Sequence, residues 1–158
     1  MEHIAIMKKS WKLTPKILSG EKKIESRWYK IRHLPWNSIQ AGETVYFKDS
    51  GEPIALKAEV EKIMQFSDLN PQKVNEILSK YGKGDGLGVY DIPKFFKMFM
   101  NKKYCILIFL SKPEKIKSFN IDKTGFGMMS AWITLDSVNR IKIKDPNNEG
   151  GLKSNNST

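Results

Sequence analysis

The sequence predicts an α+β protein built on a small mixed β-barrel with short helices packed outside it. Short segments rich in β-branched and aromatic residues alternate with turn residues, and a few segments have helical periodicity. The apolar content of 40% is sufficient for a packed core. The length of 158 residues suits one domain, which we assign to residues 1–144. Residues 145–158, rich in Asn, Gly and Ser, are predicted to form a disordered tail.

Strands are predicted where β-branched and aromatic residues cluster or alternate with polar ones. The turn-forming residues 49–53 join two of these segments into a hairpin. Closing such strands into a barrel would remove exposed sheet edges. The predicted strands are 3–7, 23–27, 44–48, 54–66, 104–110, 116–119 and 131–135, with 138–143 as a further candidate.

The first helix is predicted over 14–20. Thr14 is expected to cap the first amides, Pro15 suits the first helical position, and Gly20 suits a left-handed exit. A second helix follows Asn70-Pro71, because apolar residues recur at i, i+3, i+4 and i+7 until Gly82.

A third helix is predicted over 93–101. The glycine-rich segment 82–88 precedes it, and we expect this segment to be mobile. It lacks the Gly-Lys-Ser/Thr ending of a phosphate-binding loop and follows a helix rather than a strand, so nucleotide binding is not predicted there.

The charge is strongly positive and unevenly distributed. The formal net charge is +10, with nine basic and three acidic residues in 1–40, and eight and three in 82–118. Residues 41–81 instead hold five basic and seven acidic residues. This pattern favours one basic face that attracts a polyanion, whereas a general solubility effect is the alternative.

The composition argues against several other classes of protein. One cysteine, Cys105, excludes an internal disulfide framework and a Cys-rich zinc site, and the presence of only two histidines argues against a histidine-rich metal site. We therefore predict no metal and no cofactor. No apolar run is long enough to span a membrane and no signal pattern is visible, so we expect a cytoplasmic protein without a membrane partner.

The densest polar constellation lies in residues 20–27. If the chain is extended there, alternation places Lys23, Glu25 and Arg27 on one strand face, opposite Ile24. Lys22 lies at the corner between helix and strand and is expected to lean over the same face. The alternative is a solvated strand face with ordinary ion pairs.

These residues resemble a known signature. Gly20, Lys22, Glu25 and Arg27 match the Gly-x-Lys-x-x-Glu-x-Arg pattern of ASCH (activating signal cointegrator homology) domains, and the likeness continues over roughly residues 3–135. The resemblance implies a PUA-like fold, a β-barrel with helices around one opening. It also implies an RNA-binding module whose signature residues line a cleft.

One branch of this family is similar in fold and hydrolyses the acyl amide of N4-acetylcytidine. That branch pairs the lysine with a threonine three residues later and with a distant glutamate. This chain has Glu25 in the place of the threonine, and the distant glutamate is left open among Glu59, Glu61 and Glu76.

The leading hypothesis is a basic cleft beside the barrel that binds RNA, another single-stranded nucleic acid or a modified nucleoside. The aromatic and basic loop 28–40 supports it, because aromatic rings stack on bases and cations contact phosphates; a loop pinned to the barrel by its tryptophans is the alternative. We expect Lys22, Arg27 and Lys48 to contact phosphates, and Glu25 to accept hydrogen bonds from a base edge or ribose. Trp28 or Tyr29 is expected to stack on a base. Ser50 is expected to reach the cleft together with Lys48 from a hairpin tip.

The rival hypothesis is a hydrolase acting on RNA or on an N4-acylated cytidine. In this hypothesis Glu25 is the general base and Lys22 is the electrophile that stabilises the developing oxyanion. The sequence leaves open whether the protein is an enzyme.

Overall fold

Residues 1–144, which the computed structural model describes, form one six-stranded sheet with three short α-helices packed outside it. The strand order is β2-β5-β4-β3-β1-β6, and the sheet curls into a half-barrel. This confirms the predicted α+β fold with a small barrel-like sheet. The tail predicted for 145–158 lies outside the described residues. The strands are β1 Glu2–Met7, β2 Ile24–Tyr29, β3 Thr44–Asp49, β4 Ile54–Phe66, β5 Tyr104–Phe119 and β6 Trp132–Leu135.

The two longest strands, β4 and β5, form the centre of the sheet. Strand β5 pairs with β4 over most of its length and with β2 over its first six residues, both antiparallel. Strands β1 and β3 are parallel. Register shifts along the β4–β5 ladder mark bulges, which increase local twist and help the sheet to curl. The prediction of two separate strands over 104–110 and 116–119 is wrong, because the polar segment between them still pairs with β4.

The helices are α1 Thr14–Ser19, α2 Pro71–Tyr81 and α3 Ile92–Phe99. Gly20 ends α1 with φ +83°, as predicted, and the side chain of Asn70 accepts a hydrogen bond from the Lys73 amide (2.8 Å) at the start of α2. Thr14 does not cap α1. Its hydroxyl instead donates to Asp49 (2.6 Å) and ties the helix to β3.

The last predicted strand is also corrected by the structure. The segment Val138–Arg140 forms one turn of 3-10 helix, because the side chain of Ser137 accepts the Asn139 amide and starts a turn.

Apolar side chains cover both faces of the sheet. Strand β5 shows this directly, since Ile106 and Ile108 join the cluster inside the half-barrel while Cys105 and Leu107 join a second cluster beneath α2 and α3. Burial on both faces explains why this strand has a continuous apolar sequence. Strand β2, at one edge of the sheet, lies between the two clusters and carries the signature residues.

Two classes of feature are absent from the described part of the chain. No helix in residues 1–144 is long and apolar enough to cross a membrane. The same residues contain no group of three or more His, Cys, Asp or Glu side chains arranged to hold a metal ion.

Candidate nucleic-acid interface

The glycine-rich loop 82–88 packs against the start of β2. The carbonyl of Gly84 accepts the amides of Lys23 (2.7 Å) and Ile24 (2.9 Å). Gly86 has φ +83°, and a Cβ there would lie 3.1 Å from Cβ of Lys22. The loop that was expected to be mobile is therefore held by backbone hydrogen bonds and by a close approach that requires glycine.

This loop buries Lys22. The ammonium group donates to the carbonyls of Ile24 (2.6 Å) and Asp85 (2.8 Å) and to the carboxylate of Asp85, and only 2% of the residue is exposed. An ammonium has three N–H donors, and each has an acceptor within the protein. Contrary to the expectation that Lys22 leans over the strand face, its charged group points into the protein and acts on its surroundings through its charge.

Asp85 belongs to this site but is not predicted by the sequence patterns. One oxygen of its carboxylate binds Lys22, and the other accepts from the hydroxyl of Ser26 (2.5 Å). Ser26 in turn accepts the indole N–H of Trp28 (3.1 Å). An acidic residue among glycines in a basic chain was the available signal, but its partner lies 63 residues away in sequence.

Glu25 and Arg27 face the same side of β2, as strand alternation predicted. Oε1 of Glu25 lies 3.5 Å from Nε of Arg27, and Oε2 of Glu25 lies 4.0 Å from Nζ of Lys22. Within residues 1–144, Oε2 of Glu25 and Nε of Arg27 are the buried side-chain atoms without a hydrogen-bond partner. Such atoms are rare in folded proteins, and two adjacent ones indicate unused hydrogen-bonding capacity.

Burial controls the ionisation of Glu25. Desolvation raises the pKa of its carboxyl, the cations of Lys22 and Arg27 oppose this rise, and the charge of Asp85 adds to it. Since Asp85 already neutralises Lys22, Glu25 is the second carboxylate near one ammonium. A buried carboxyl with a raised pKa can exchange a proton closer to neutral pH than an exposed one.

Arg27 connects the two edges of the half-barrel. It extends from the edge strand β2, and its Nη1 and Nη2 donate to the carbonyls of Ala131 (3.3 Å) and Ile6 (3.4 Å) near the opposite edge. The guanidinium lies 5.2 Å from the ring centre of Trp132, a cation–π arrangement. Arg27 thus places a positive charge at the opening of the barrel.

Two pockets flank this arginine and share Arg27, Tyr29 and Ala131 in their walls. The Glu25 pocket has a volume of about 310 Å³, and the Met129 pocket about 380 Å³. Together they form the cleft. The Glu25 pocket is further lined by residues that include Lys8, Trp11, Glu25, Trp28 and Phe99, and the Met129 pocket by His33, Leu34, Met129, Ser130 and Trp132.

The predicted aromatic residues occupy different positions in the cleft. Trp28 is buried and stacks on Phe99, with ring centres 4.9 Å apart and planes at 6°, so one face of its ring is already covered. Tyr29 lines both pockets, and its hydroxyl donates to the carbonyl of Leu34 (2.8 Å). Burial raises the pKa of Tyr29 to about 12, so this phenol stays protonated at neutral pH.

The predicted hairpin-tip residues lie outside the cleft. Neither Lys48 nor Ser50 lines the Glu25 pocket or the Met129 pocket; the amide of Ser50 donates to the carbonyl of Met7 (2.8 Å). The structure therefore brings Glu25, Arg27, Trp28 and Tyr29 together but not these two.

Other parts of the cleft wall are also not predicted by the sequence patterns. Lys8 lies 5.3 Å from the ring centre of Trp11, and both line the Glu25 pocket. Their spacing in a basic segment was a signal that could have been used. Trp132 is buried and also forms a wall of the Met129 pocket beneath Arg27.

Comparison with known proteins places this geometry in a fold family. No protein-family model matches the chain, and no curated protein matches it in sequence. Among solved structures, the ASCH protein from Zymomonas mobilis superposes with a TM-score of 0.62 at 18% identity, covering 97% of this chain and 94% of that one. The chain has the ASCH-domain fold. This likeness confirms the fold that the resemblance implied.

Two further solved structures are similar to this chain in fold. The N-terminal domain of Staphylothermus marinus McrB has a TM-score of 0.56 at 10% identity, covering 97% of this chain and 93% of that domain. The hypothetical protein PH0355 has a TM-score of 0.51 at 22% identity, covering 73% of this chain and all of that one. At these identities the likeness concerns the fold, so the function of this protein has to be inferred from its own cleft.

Proposed function

We propose that the cleft binds RNA through unstacked nucleotides, or a modified nucleoside within RNA. The observation that carries the proposal is the position of Arg27, a cation at the junction of two pockets with aromatic walls, beside an unpartnered oxygen of Glu25. Sequence-specific RNA binding commonly targets splayed bases that stack on aromatic side chains and hydrogen-bond along their edges. The net charge of +10 and the ASCH resemblance support the same ligand class.

Each wall of the cleft contributes a different interaction. Arg27 and Lys8 supply positive charge for phosphates. Tyr29 and Trp11 offer ring surface for stacking. Trp28 is less suited to this role, because Phe99 already covers one face of its ring. Glu25 accepts hydrogen bonds from a base edge or ribose hydroxyl, and the buried Lys22 modulates that carboxylate through its charge rather than contacting phosphate.

Titration of a labelled single strand at several salt concentrations tests the proposal. Fluorescence anisotropy with a ten-nucleotide RNA should show binding that weakens with salt, with a logarithmic slope of roughly 0.7 per phosphate contact. The same length of DNA separates recognition of ribose from simple charge attraction. A folded protein that fails to bind RNA at low salt would refute the proposal.

A matched pair of charge reversals locates the binding surface. Lys8→Glu places a negative charge in the wall of the Glu25 pocket, and we expect it to weaken RNA binding at least tenfold and to reduce the salt slope. Lys80→Glu makes the same charge change on exposed α2, outside both pockets, and should change affinity by less than about threefold. Equal effects would indicate attraction by net charge alone.

One observation favours hydrolysis of RNA or of an N4-acylated cytidine as a second candidate function. Glu25 is a buried carboxyl with a raised pKa at the edge of a pocket, which suits a general base. Lys22 is less suited to the electrophilic role, since its three N–H donors are already used. Chromatography after incubation with N4-acetylcytidine or with RNA would detect product, and Glu25→Gln should abolish it.

A further inference from the structure

We propose that the cleft recognises two successive nucleotides, one in each pocket, with the phosphate that links them held by Arg27. This proposal rests on the proposed RNA-binding function and specifies its ligand as a single strand of at least two nucleotides rather than a free nucleoside.

The size and arrangement of the pockets support two sites rather than one. Pockets for small ligands have volumes of about 300–1,000 Å³, and these two, at about 310 and 380 Å³, lie near the lower limit. Each is suited to one nucleoside. Because Arg27, Tyr29 and Ala131 belong to both walls, the pockets adjoin, and the guanidinium lies at their junction.

The guanidinium has capacity for a phosphate at this junction. Its contacts with the carbonyls of Ala131 and Ile6 are long, at 3.3 and 3.4 Å, and its Nε, which lies 3.5 Å from Oε1 of Glu25, makes no hydrogen bond. Guanidinium groups bind phosphate oxygens through two parallel hydrogen bonds, which are stronger than such neutral contacts. The cation–π contact with Trp132 keeps the group in place for this role.

The charge of Glu25 decides which part of the ligand enters its pocket. The carboxyl group of Glu25 lacks the positive charge that attracts phosphate, so the phosphate stays at Arg27 and the uncharged base enters the Glu25 pocket. Oε2 of Glu25 then offers an acceptor to an N–H group on the base edge. We therefore expect this pocket to hold its base by the hydrogen-bonding edge.

The Met129 pocket has a different character. Leu34, Met129 and Trp132 supply apolar and aromatic surface, and His33 lies beside Tyr29 with ring centres 5.7 Å apart. The flexible thioether of Met129 can adapt to different bases, and aromatic rings stack on any base. The second nucleotide is therefore bound with little preference for its base, and the selectivity of the cleft resides in the Glu25 pocket.

Competition with small ligands tests the proposal. Unlabelled nucleosides, nucleoside 5′-monophosphates and dinucleoside monophosphates are compared for displacement of the labelled ten-nucleotide RNA. We expect the best dinucleoside monophosphate to compete at least tenfold better than either single unit. Replacing its linking phosphate with a neutral methylphosphonate should remove that advantage. A nucleoside or its monophosphate that competes as well as the dinucleoside monophosphate would overturn the two-site proposal but leave RNA binding intact. Failure of the labelled RNA to bind would instead refute the proposed function itself.

Two neighbouring methionines provide a matched pair of variants. Met128 and Met129 are 77% and 95% exposed, but only Met129 lines the pocket. Met129→Asp should weaken competition by the dinucleoside monophosphate at least fivefold, and more than it weakens competition by the nucleoside. Met128→Asp adds the same charge and should have little effect on either ligand. Equal effects of the two variants, or no effect of Met129→Asp on the dinucleoside, would overturn the proposal.

Discussion

The pairing of Asp85 with Lys22 predicts a large loss of stability when its negative charge is removed. Asp85→Asn keeps the size and an acceptor oxygen but leaves the ammonium, 2% exposed, among neutral acceptors. Breaking a buried ion pair by neutralising one partner typically costs about 3–5 kcal/mol. We expect a loss of about 3 kcal/mol, at the lower end, because the carboxylate of Glu25 remains 4.0 Å from the ammonium.

Urea denaturation followed by tryptophan fluorescence measures this loss, since Trp28 and Trp132 are buried. A loss of this size is a large fraction of the total stability of about 5–15 kcal/mol expected for a domain. The midpoint should therefore move strongly while the slope of the transition stays constant.

A double-mutant cycle separates the ion pair from general damage to the loop. Lys22→Met combined with Asp85→Asn removes both charges, so the double variant should be more stable than the sum of the single losses predicts, by about 1–3 kcal/mol. Additive losses, or a loss below about 1 kcal/mol for Asp85→Asn alone, would refute the view that Lys22 depends on this carboxylate.

Three further predictions concern the same region. Gly86→Ala should destabilise the fold more than Gly51→Ala. Both glycines have positive φ, which costs an alanine about 1–2 kcal/mol, but only Gly86 lies close to Lys22. Equal losses of unfolding free energy in urea would contradict this. Burial raises the pKa of Glu25 in the folded state, so the stability that its bound proton contributes is fully present below the ordinary pKa of about 4.5 and is lost as pH rises through the raised pKa. The free energy of unfolding of the wild type should therefore fall relative to that of Glu25→Gln as pH rises. A constant difference between the two proteins would refute this. Burial also raises the pKa of the Cys105 thiol, so a thiol reagent should modify it only as fast as the protein unfolds, and rapid modification of native protein would contradict its burial.

Features that depend on local chain geometry were predicted well. Strand β4 has the predicted bounds of 54–66, because alternation of apolar and polar residues follows the pleat of a half-buried strand. The Asn70 cap and the left-handed Gly20 are likewise set within one turn of chain. Glu25 and Arg27 share a face of β2 for the same reason.

Features that depend on distant residues were not predicted. The burial of Lys22 contradicts the ordinary preference of lysine for the surface, and it is possible only because the loop around Asp85 supplies acceptors. The position of Lys48 and Ser50 in a hairpin predicts that they lie near the cleft, but neither residue lines either pocket.

The sequence by itself determined the fold class, most strands and helices, and the common face of Glu25 and Arg27, because periodicity and capping act between near neighbours in the chain. Only the tertiary structure decided that Arg27 joins the two sheet edges above Trp132 and divides the cleft into two pockets. That arrangement brings together residues about a hundred positions apart, and their approach depends on how far the whole sheet curls, which no local pattern encodes.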